Sequence, residues 1–210
     1  MKLIHHSFPK TARVWIHGDV DSASTVWVAL HGYGQDVKRF AEVLAVLEDE
    51  NTAVIIPEGP HRFYSSGFSG EVGASWMTKE DRDNDILDYI NYLSGISDRF
   101  NLSNKRLNVL GFSQGAATAS RWVSKSKISI HHLVLWAGII PPDLDLSIDI
   151  PILREIRTTL VVGNDDEFIQ ESSLGKMKEI MDDYGLKYNF ISFEGKHRLN
   201  REVLNALKIS

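Results

Sequence analysis

Short apolar runs recur along the chain and mark its strands. The runs VWVAL, AVII, LVLW and TLVV contain no charged residue. Strands that helices cover on both faces have this pattern, because the side chains on both faces are buried. The runs and their neighbours predict strands over 12–17, 25–30, 52–56, 106–110, 132–136, 158–162 and 188–193.

Helical periodicity fills most of the intervals between these strands. In DVKRFAEVLAVLEDE the apolar residues recur three and four positions apart, which predicts an amphipathic helix that Asp36 opens. The segment KEDRDNDILDYINYLSGI starts with acidic residues, which suit a helix N-terminus. Further helices are predicted from Gln114 onward, in ESSLGKMKEIMDDYG with its end at Gly185, and in LNREVLNALK.

The alternation of strands and helices predicts the α/β class. We expect a mostly parallel central sheet of about seven strands with helices on both faces. The first two strands have no helix between them, and the turn residues HGDVDSAS favour an antiparallel hairpin at one edge of the sheet. The chain contains no internal repeat and no linker rich in Pro, Gly and Ser. We therefore expect residues 1–210 to form a single domain.

The composition argues against several functional classes. Of the 210 residues, 43% are hydrophobic and 24% are charged, as in a chain that folds and dissolves. The formal net charge of −5 and the lack of a long Lys/Arg cluster argue against a nucleic-acid partner. The chain has no cysteine, which excludes disulfides, cysteine nucleophiles and thiolate metal sites.

The distribution of apolar residues argues against membrane insertion. No window approaches the ~18 apolar residues of a membrane span. The first residues, MKLIHHSFPK, lack the apolar run of a signal peptide. We expect a cytoplasmic protein without stable membrane insertion, either a monomer or a homodimer.

The segment NVLGFSQGAATA contains the strongest candidate for chemistry. Its pentapeptide GFSQG, centred on Ser113, has the G-x-S-x-G pattern of a nucleophile elbow. Such a turn lifts the serine hydroxyl above the carboxyl ends of the strands, and the amides of the next helix point at the same place. Unrelated chains also contain G-x-S-x-G. Here a predicted strand precedes it and a predicted helix follows, which favours a catalytic serine.

A serine nucleophile needs a base and an acid that orients the base. In this type of site the chain order is serine, then acid, then histidine. In TTLVVGNDDEF, Asp166 is the favoured acid and Asp165 the alternative; a solvated acidic turn is the non-catalytic interpretation. His197 is the favoured base, because it is the only histidine after Asp166. The other histidines considered are expected at the surface or at a sheet edge: His5, His6, His131 and His132.

The oxyanion of an acyl-transfer reaction needs two N–H donors. One is expected from the backbone of Gln114, directly after the serine. The other is expected from the backbone of Tyr33 in VALHGYGQD, where two glycines free the chain to turn its amides inward. An ordinary tight turn is the alternative interpretation of this second segment.

These segments together resemble the phospholipase/carboxylesterase family of α/β-hydrolases, which includes carboxylesterases and acyl-protein thioesterases. The matching motifs are LHGYGQD, PEGP, SWM, GFSQG, GNDDEF and GKH, in the family's order between residues 30 and 197. The resemblance implies Ser113 as nucleophile, Asp166 as acid and His197 as base, with the amides of Tyr33 and Gln114 for the oxyanion. The chain departs from the family where a proline often follows the acid, because Glu167 stands there.

The expected function is hydrolysis of small soluble carboxylic esters through an acyl-enzyme, without a metal or an organic cofactor. An acyl-protein thioesterase or a lysophospholipase is the alternative. A non-catalytic ligand-binding protein of the same fold is the alternative of another class. Side chains of HRFYSSGFSGEVGASWM are expected to line the acyl pocket, unless they form a packed supporting loop: Phe63, Tyr64, Phe68, Trp76 and Met77.

Overall fold

The computed structural model describes residues 1–126, 128–145, 147–169 and 171–209. The strands are β1 (Val14–His17), β2 (Thr25–Leu30), β3 (Thr52–Pro57), β4 (His61–Tyr64), β5 (Val72–Ser75), β6 (Arg106–Phe112), β7 (His132–Trp136), β8 (Arg157–Gly163) and β9 (Tyr188–Phe193). The α-helices are α1 (Val37–Leu44), α2 (Arg82–Arg99), α3 (Gln114–Lys125), α4 (Asp149–Arg154), α5 (Glu171–Asp183) and α6 (Arg201–Ile209). Short 3₁₀ helices cover Ala45–Leu47 and Leu102–Asn104.

Seven strands form one sheet in the order β1-β3-β2-β6-β7-β8-β9. All neighbours in it are parallel except β1 and β3. The expected α/β class and mostly parallel sheet are thus confirmed. Because the strands are parallel, their carboxyl ends lie along one edge, where α/β proteins place their ligands.

The expected hairpin between the first two strands is wrong. β1 does lie at an edge and runs antiparallel, but it pairs with β3, with Val14 opposite Pro57 and His17 opposite Val54. β2 is buried over almost its whole length and sits between two parallel partners, β3 and β6. A strand with two apolar faces is more stable inside the sheet, whereas β1, with Ile16 exposed, suits the edge.

Two strands and one α-helix lie outside the predicted pattern. β4 and β5 form a separate antiparallel pair, with His61 opposite Ser75. Neither strand has an apolar run, so periodicity did not indicate them. The helix, α4, has only six residues.

The two faces of the sheet bury separate hydrophobic cores, which alternating side chains of each strand supply. In β2, Val26, Val28 and Leu30 face the core under α2, α3, α4 and α5. Trp27 and Ala29 face the core under α1 and α6. Helices therefore cover both faces, as predicted.

The surface or edge position expected for His132 is wrong. His132 lies on central strand β7 and is 2% exposed, with its Nε2 2.8 Å from the hydroxyl of Thr159. Burial lowers the pKa of His132 to about 4. His5, His6 and His131 are exposed, as expected. Within the ranges that the structure describes, we find no helix with the length and apolar character needed to cross a membrane.

Candidate active site

Ser113 occupies the sharp turn between β6 and α3. Its backbone has φ +54° and ψ −116°, a conformation that non-glycine residues rarely adopt. Its N–H donates to the carbonyl of Trp136, at the end of neighbouring strand β7, at 2.8 Å. The side chain is partly exposed. This strained strand–turn–helix geometry is that of a nucleophile elbow.

Glycines on both sides allow the turn to close. A Cβ on Gly111 would collide with the carbonyl of Gly115, and a Cβ on Gly115 would collide with the carbonyl of Leu30. The first turn of α3 therefore lies directly against the end of β2. A Cβ on Gly32 would come within 3.1 Å of the Ser113 Cβ, so the segment that follows β2 also borders the serine.

The carboxylate of Asp166 holds the imidazole of His197. The His197 Nδ1 lies 2.8 Å from Oδ2 and 3.0 Å from Oδ1 of Asp166. A carboxylate only accepts hydrogen bonds, so Nδ1 carries the proton and Nε2 of the neutral ring is left as an acceptor. The Asp166 side chain is fully buried, and its Oδ1 also accepts the backbone N–H groups of Phe168 and Ile169 at 2.9 and 3.0 Å.

Two aromatic rings pack against this imidazole at steep angles, 51° and 62° between the ring planes. The ring centroids of Phe112 and Phe168 lie 4.9 and 4.7 Å from that of His197. Phe112 is buried, whereas Phe168 is 70% exposed. The His197 ring thus contacts one aromatic side chain of the core and one that is largely in solvent.

Asp165 takes a different position. It is exposed, and its backbone N–H donates to the carbonyl of Gly195 at 3.0 Å. Its side chain borders an open surface cleft beside Lys196 and Arg198. Glu167 accepts the backbone N–H of His197 through Oε2, with 3.4 Å between the nitrogen and the oxygen.

The 31–35 loop, which joins β2 to α1, carries the second expected oxyanion donor. In the described ranges, neither the Tyr33 N–H nor the Gln114 N–H donates to a protein acceptor. The neighbouring Gly32 N–H is bound, because the Gln35 side chain accepts it at 2.6 Å. Two backbone N–H groups beside Ser113 are therefore free to bind another acceptor.

His31 is a structural member of this loop that the motif alone did not indicate. It is completely buried, and its Nε2 accepts the backbone N–H of Gly59 at 2.9 Å. Its Nδ1 must then carry the proton, which it donates to the carbonyl of Gly32 at 2.7 Å. Burial lowers the pKa of His31 to about 4, so the ring is neutral near pH 7.

Residues 23–202 match the family model described as serine hydrolase (FSH1). The chain belongs to this family. The predicted resemblance to the phospholipase/carboxylesterase family is confirmed as a serine hydrolase with the α/β-hydrolase fold, and the family that the match identifies is FSH1. A comparison with curated proteins finds no match.

Solved structures similar to this FSH1 serine hydrolase include an esterase, an acyl-protein thioesterase and a carboxylesterase. Esterase PE8 has a TM-score of 0.73 and 18% identity, over 95% of this chain and 97% of its own. Acyl-protein thioesterase 2 of Zea mays has a TM-score of 0.70 and 19% identity, over 95% and 97%. The Bacillus cereus carboxylesterase has a TM-score of 0.66 and 14% identity, over 94% and 92%. At these identities the likeness establishes the fold.

The residues expected to line the acyl pocket of this FSH1 serine hydrolase separate into different environments. Phe63 is half-buried and packs on the Tyr33 ring, with centroids 5.4 Å apart. Met77 is half-buried, and its Sδ lies 3.7 Å from Nη1 of Arg121. Phe68 is 98% exposed, in the turn between β4 and β5. The structure therefore brings Phe63 beside the 31–35 loop and leaves Phe68 in solvent.

The expected substrate contact of Trp76 is not found, because its ring has no exposed surface. It packs against His31 and Tyr89, and its Nε1 donates to the carbonyl of His31 at 2.9 Å. Trp76 thus supports the 31–35 loop through its contacts with His31. Over the described residues, no group of three or more His, Cys, Asp or Glu side chains is arranged to hold a metal ion.

Proposed function

We propose that this FSH1 serine hydrolase cleaves carboxylic esters through an acyl-enzyme, with Ser113 as nucleophile, His197 as general base and Asp166 as the acid that orients the base. The observation that carries the proposal is the pair of contacts, 2.8 and 3.0 Å, between the buried Asp166 carboxylate and His197 Nδ1. This pair lies at the same sheet edge as the strained turn of Ser113, next to Phe112.

In the proposed acylation step, the Ser113 Oγ attacks the ester carbonyl while Nε2 of His197 takes the hydroxyl proton. The resulting oxyanion accepts hydrogen bonds from the N–H groups of Tyr33 and Gln114. The C–O bond to the alcohol then breaks, and His197 returns the proton to the leaving alcohol. Asp166 stabilises the imidazolium throughout.

Deacylation repeats these steps with water. His197 removes a proton from the water as it attacks the acyl carbonyl, and the proton then passes to the Ser113 oxygen as the acid leaves. Over the two steps the serine proton leaves with the alcohol, and a proton from the attacking water replaces it on Ser113. The proposed cycle therefore uses only side chains and amides of this chain, and it requires neither a metal nor an organic cofactor.

We propose small, soluble esters as the substrate class. Tyr33 follows Gly32, which borders Ser113, and Phe168 packs on the His197 ring. The two aromatic residues are 62% and 70% exposed, so they offer apolar surface at the rim of the site. The same cycle would cleave a thioester, and the similarity to the Zea mays acyl-protein thioesterase 2 supports that second candidate. A lysophospholipid is the remaining alternative, and a preference for long acyl chains would favour it.

We further propose a single α/β-hydrolase domain over residues 1–210, because helices from both halves of the chain pack on one sheet. A cytoplasmic location, the absence of a nucleic-acid partner and a monomeric or homodimeric state stay predictions from the sequence. Size-exclusion chromatography with light scattering measures the last of these directly.

The decisive experiment is hydrolysis of p-nitrophenyl esters from acetate to palmitate, with wild type beside Ser113→Ala. Serine-dependent turnover that is highest with short acyl chains would support the small-ester proposal. A maximum with long chains would move the assignment toward lipid or acyl-protein substrates. Turnover that survives in Ser113→Ala would refute the nucleophile, and binding without turnover would favour a ligand-binding protein.

A further inference from the structure

The side chain of Gln114 binds the segment that leaves β5. Its Oε1 accepts the backbone N–H of Trp76 at 3.0 Å, and its Nε2 donates to the carbonyl of Met77 at 2.9 Å. The Ser75 hydroxyl lies 2.9 Å from the Met77 carbonyl oxygen and 3.2 Å from the same Oε1, and its single proton can be donated to either oxygen. A flipped amide would place N–H against N–H and oxygen against oxygen, so these partners determine its orientation.

The segment that Gln114 binds also supports the 31–35 loop. The Trp76 indole donates to the carbonyl of His31 at 2.9 Å. The Ala74 N–H donates to the carbonyl of Gln35 at 3.1 Å, and the Ala74 carbonyl accepts the N–H of Gly34 at 2.8 Å. The contacts therefore run without interruption from the first residue of α3, through the end of β5, to the residues that surround Tyr33.

We infer that the Gln114 side chain is a positioning residue that sets the separation of the two oxyanion donors. Gln114 offers one donor through its backbone N–H. Its side chain binds the segment at the end of β5, and that segment supports the loop that carries the other donor, the Tyr33 N–H. The inference rests on the proposed function, since it assumes that the amides of Gln114 and Tyr33 bind the oxyanion. Donors stabilise a developing charge only where their positions fit it, so loss of these contacts weakens binding of the transition state more than binding of the ester.

Gln114→Met tests this inference, because methionine keeps the length of the side chain and removes its polar contacts. We expect kcat for p-nitrophenyl acetate to fall on the order of 10- to 100-fold, with KM within about 3-fold of wild type. Rates are divided by the concentration of active enzyme, which is determined by complete labelling with a fluorophosphonate. A trifluoromethyl ketone, which forms a tetrahedral adduct with a catalytic serine, should lose affinity by the same factor as kcat. The matching methyl ketone should not.

Gln114→Glu supplies a conditional rescue. A protonated carboxyl can donate to the Met77 carbonyl as the amide does, whereas an ionised one repels it. The ratio of Gln114→Glu to wild-type kcat/KM should therefore rise as the pH falls from about 8 to about 5. A residue that only stabilises the fold would give a ratio that does not depend on pH.

Ser120→Ala is the matched control. It removes a buried hydroxyl from the same helix, where Ser120 donates to the carbonyl of Ala116 at 2.9 Å, and it leaves residues 75–77 untouched. We expect its kcat to stay within about 2-fold of wild type. Thermal unfolding of both variants separates a loss of stability from a loss of transition-state binding.

The inference is overturned if Gln114→Met keeps kcat within about 2-fold of wild type, or if both ketones lose affinity equally. If Gln114→Met does not fold, the pH ratio of Gln114→Glu decides. Failure of the proposed function looks different, because wild type itself would then show no Ser113-dependent turnover. The rate of fluorophosphonate labelling at Ser113 then tests the same contacts, since charge also develops on an oxygen in that reaction. A Ser113 that is not labelled at all overturns both proposals.

Discussion

Oδ2 of Asp166 lies 2.8 Å from Nδ1 of His197, although 31 residues separate the two in the chain. The sheet brings them together. β8 and β9 are parallel neighbours, with Gly163 opposite Phe193, so the segments that follow both strands leave at the same edge. The Asn164 N–H continues this pairing and donates to the carbonyl of Phe193 at 2.9 Å.

Asp166→Asn should lower kcat on the order of 10⁴-fold, whereas Asp165→Asn should change it by less than about 3-fold. The amide of an asparagine can donate to Nδ1 and so stabilises the imidazole tautomer that cannot accept the serine proton. Asp165 makes no such contact, because its side chain is exposed. Steady-state hydrolysis of p-nitrophenyl acetate measures both. The opposite ranking would assign the acid to Asp165.

Gly115→Ala should unfold the protein or lower its stability by more than about 3 kcal/mol. The new Cβ would collide with the carbonyl of Leu30, and backbone cannot move aside as a side chain can. Gly95→Ala is the matched control, because Gly95 is also helical but has no neighbour within 4 Å of its added Cβ. Gly95→Ala should raise stability by about 0.5–1 kcal/mol. Urea unfolding of both variants checks this, and equal effects would contradict the packing of α3 against β2.

Stability should fall as the pH drops from about 6.5 toward about 4. The pKa of buried His31 and that of buried His132 are each lowered to about 4 from an ordinary 6.5. The unfolded chain therefore takes up these protons first, and stability that is complete above about pH 6.5 is lost below it. At pH 5 each histidine accounts for a loss on the order of 2 kcal/mol.

Urea unfolding at pH 7.5 and at pH 5, in wild type and in His132→Asn, measures this loss. His132→Asn should be less stable than wild type at pH 7.5. Its stability should fall less between pH 7.5 and pH 5, because the buried imidazole of His132 is gone. His6→Asn, at an exposed position, should behave as wild type. Equal losses in wild type and His132→Asn would show that His132 does not contribute.

Asp143→Asn should lower stability by about 2–3 kcal/mol, because it leaves the guanidinium of Arg121 buried without its counterion. The Arg121 side chain is 6% exposed and binds Asp143 through two nitrogens, at 3.0 and 2.7 Å. Burial raises the pKa of Asp143, but hydrogen bonds from Arg121 and Arg82 outweigh it and hold that pKa at about 2.

Glu71→Gln is the control for an exposed ion pair. Glu71 lies 2.6 Å from Arg39, but the two side chains are 62% and 68% exposed. Water screens this pair, so its loss should change stability by less than about 0.5 kcal/mol. Thermal and urea unfolding of both variants compare the two pairs. A larger loss from Glu71→Gln than from Asp143→Asn would contradict the role given to burial.

The predictions that succeeded rest on local patterns. Apolar runs located the inner strands of the main sheet to within two residues at each end, because burial on both faces requires such runs. Asp36 opens α1, and its side chain accepts the N–H groups of Lys38 and Arg39. The GFSQG motif placed Ser113 in a strained turn, since only flanking glycines permit that approach of helix and strand.

The choice of partners was decided by the tertiary structure. An apolar run requires burial but does not determine which strand it pairs with. β1 therefore pairs with β3, although a hairpin with β2 was expected. The aromatic character of Trp76 could not distinguish a pocket wall from a buried support. The GFSQG motif also did not indicate that the Gln114 side chain binds Trp76 and Met77, which lie 38 and 37 positions away in the chain.

By itself, the sequence determined the α/β class, the elbow around Ser113 and the chain order of serine, acid and histidine. Only the tertiary structure decided that the buried carboxylate of Asp166, and not that of Asp165, meets His197. The physical reason is that residue type and spacing control local conformation and burial. Distances between segments depend on how the strands pair and on which backbone groups form hydrogen bonds between the packed segments.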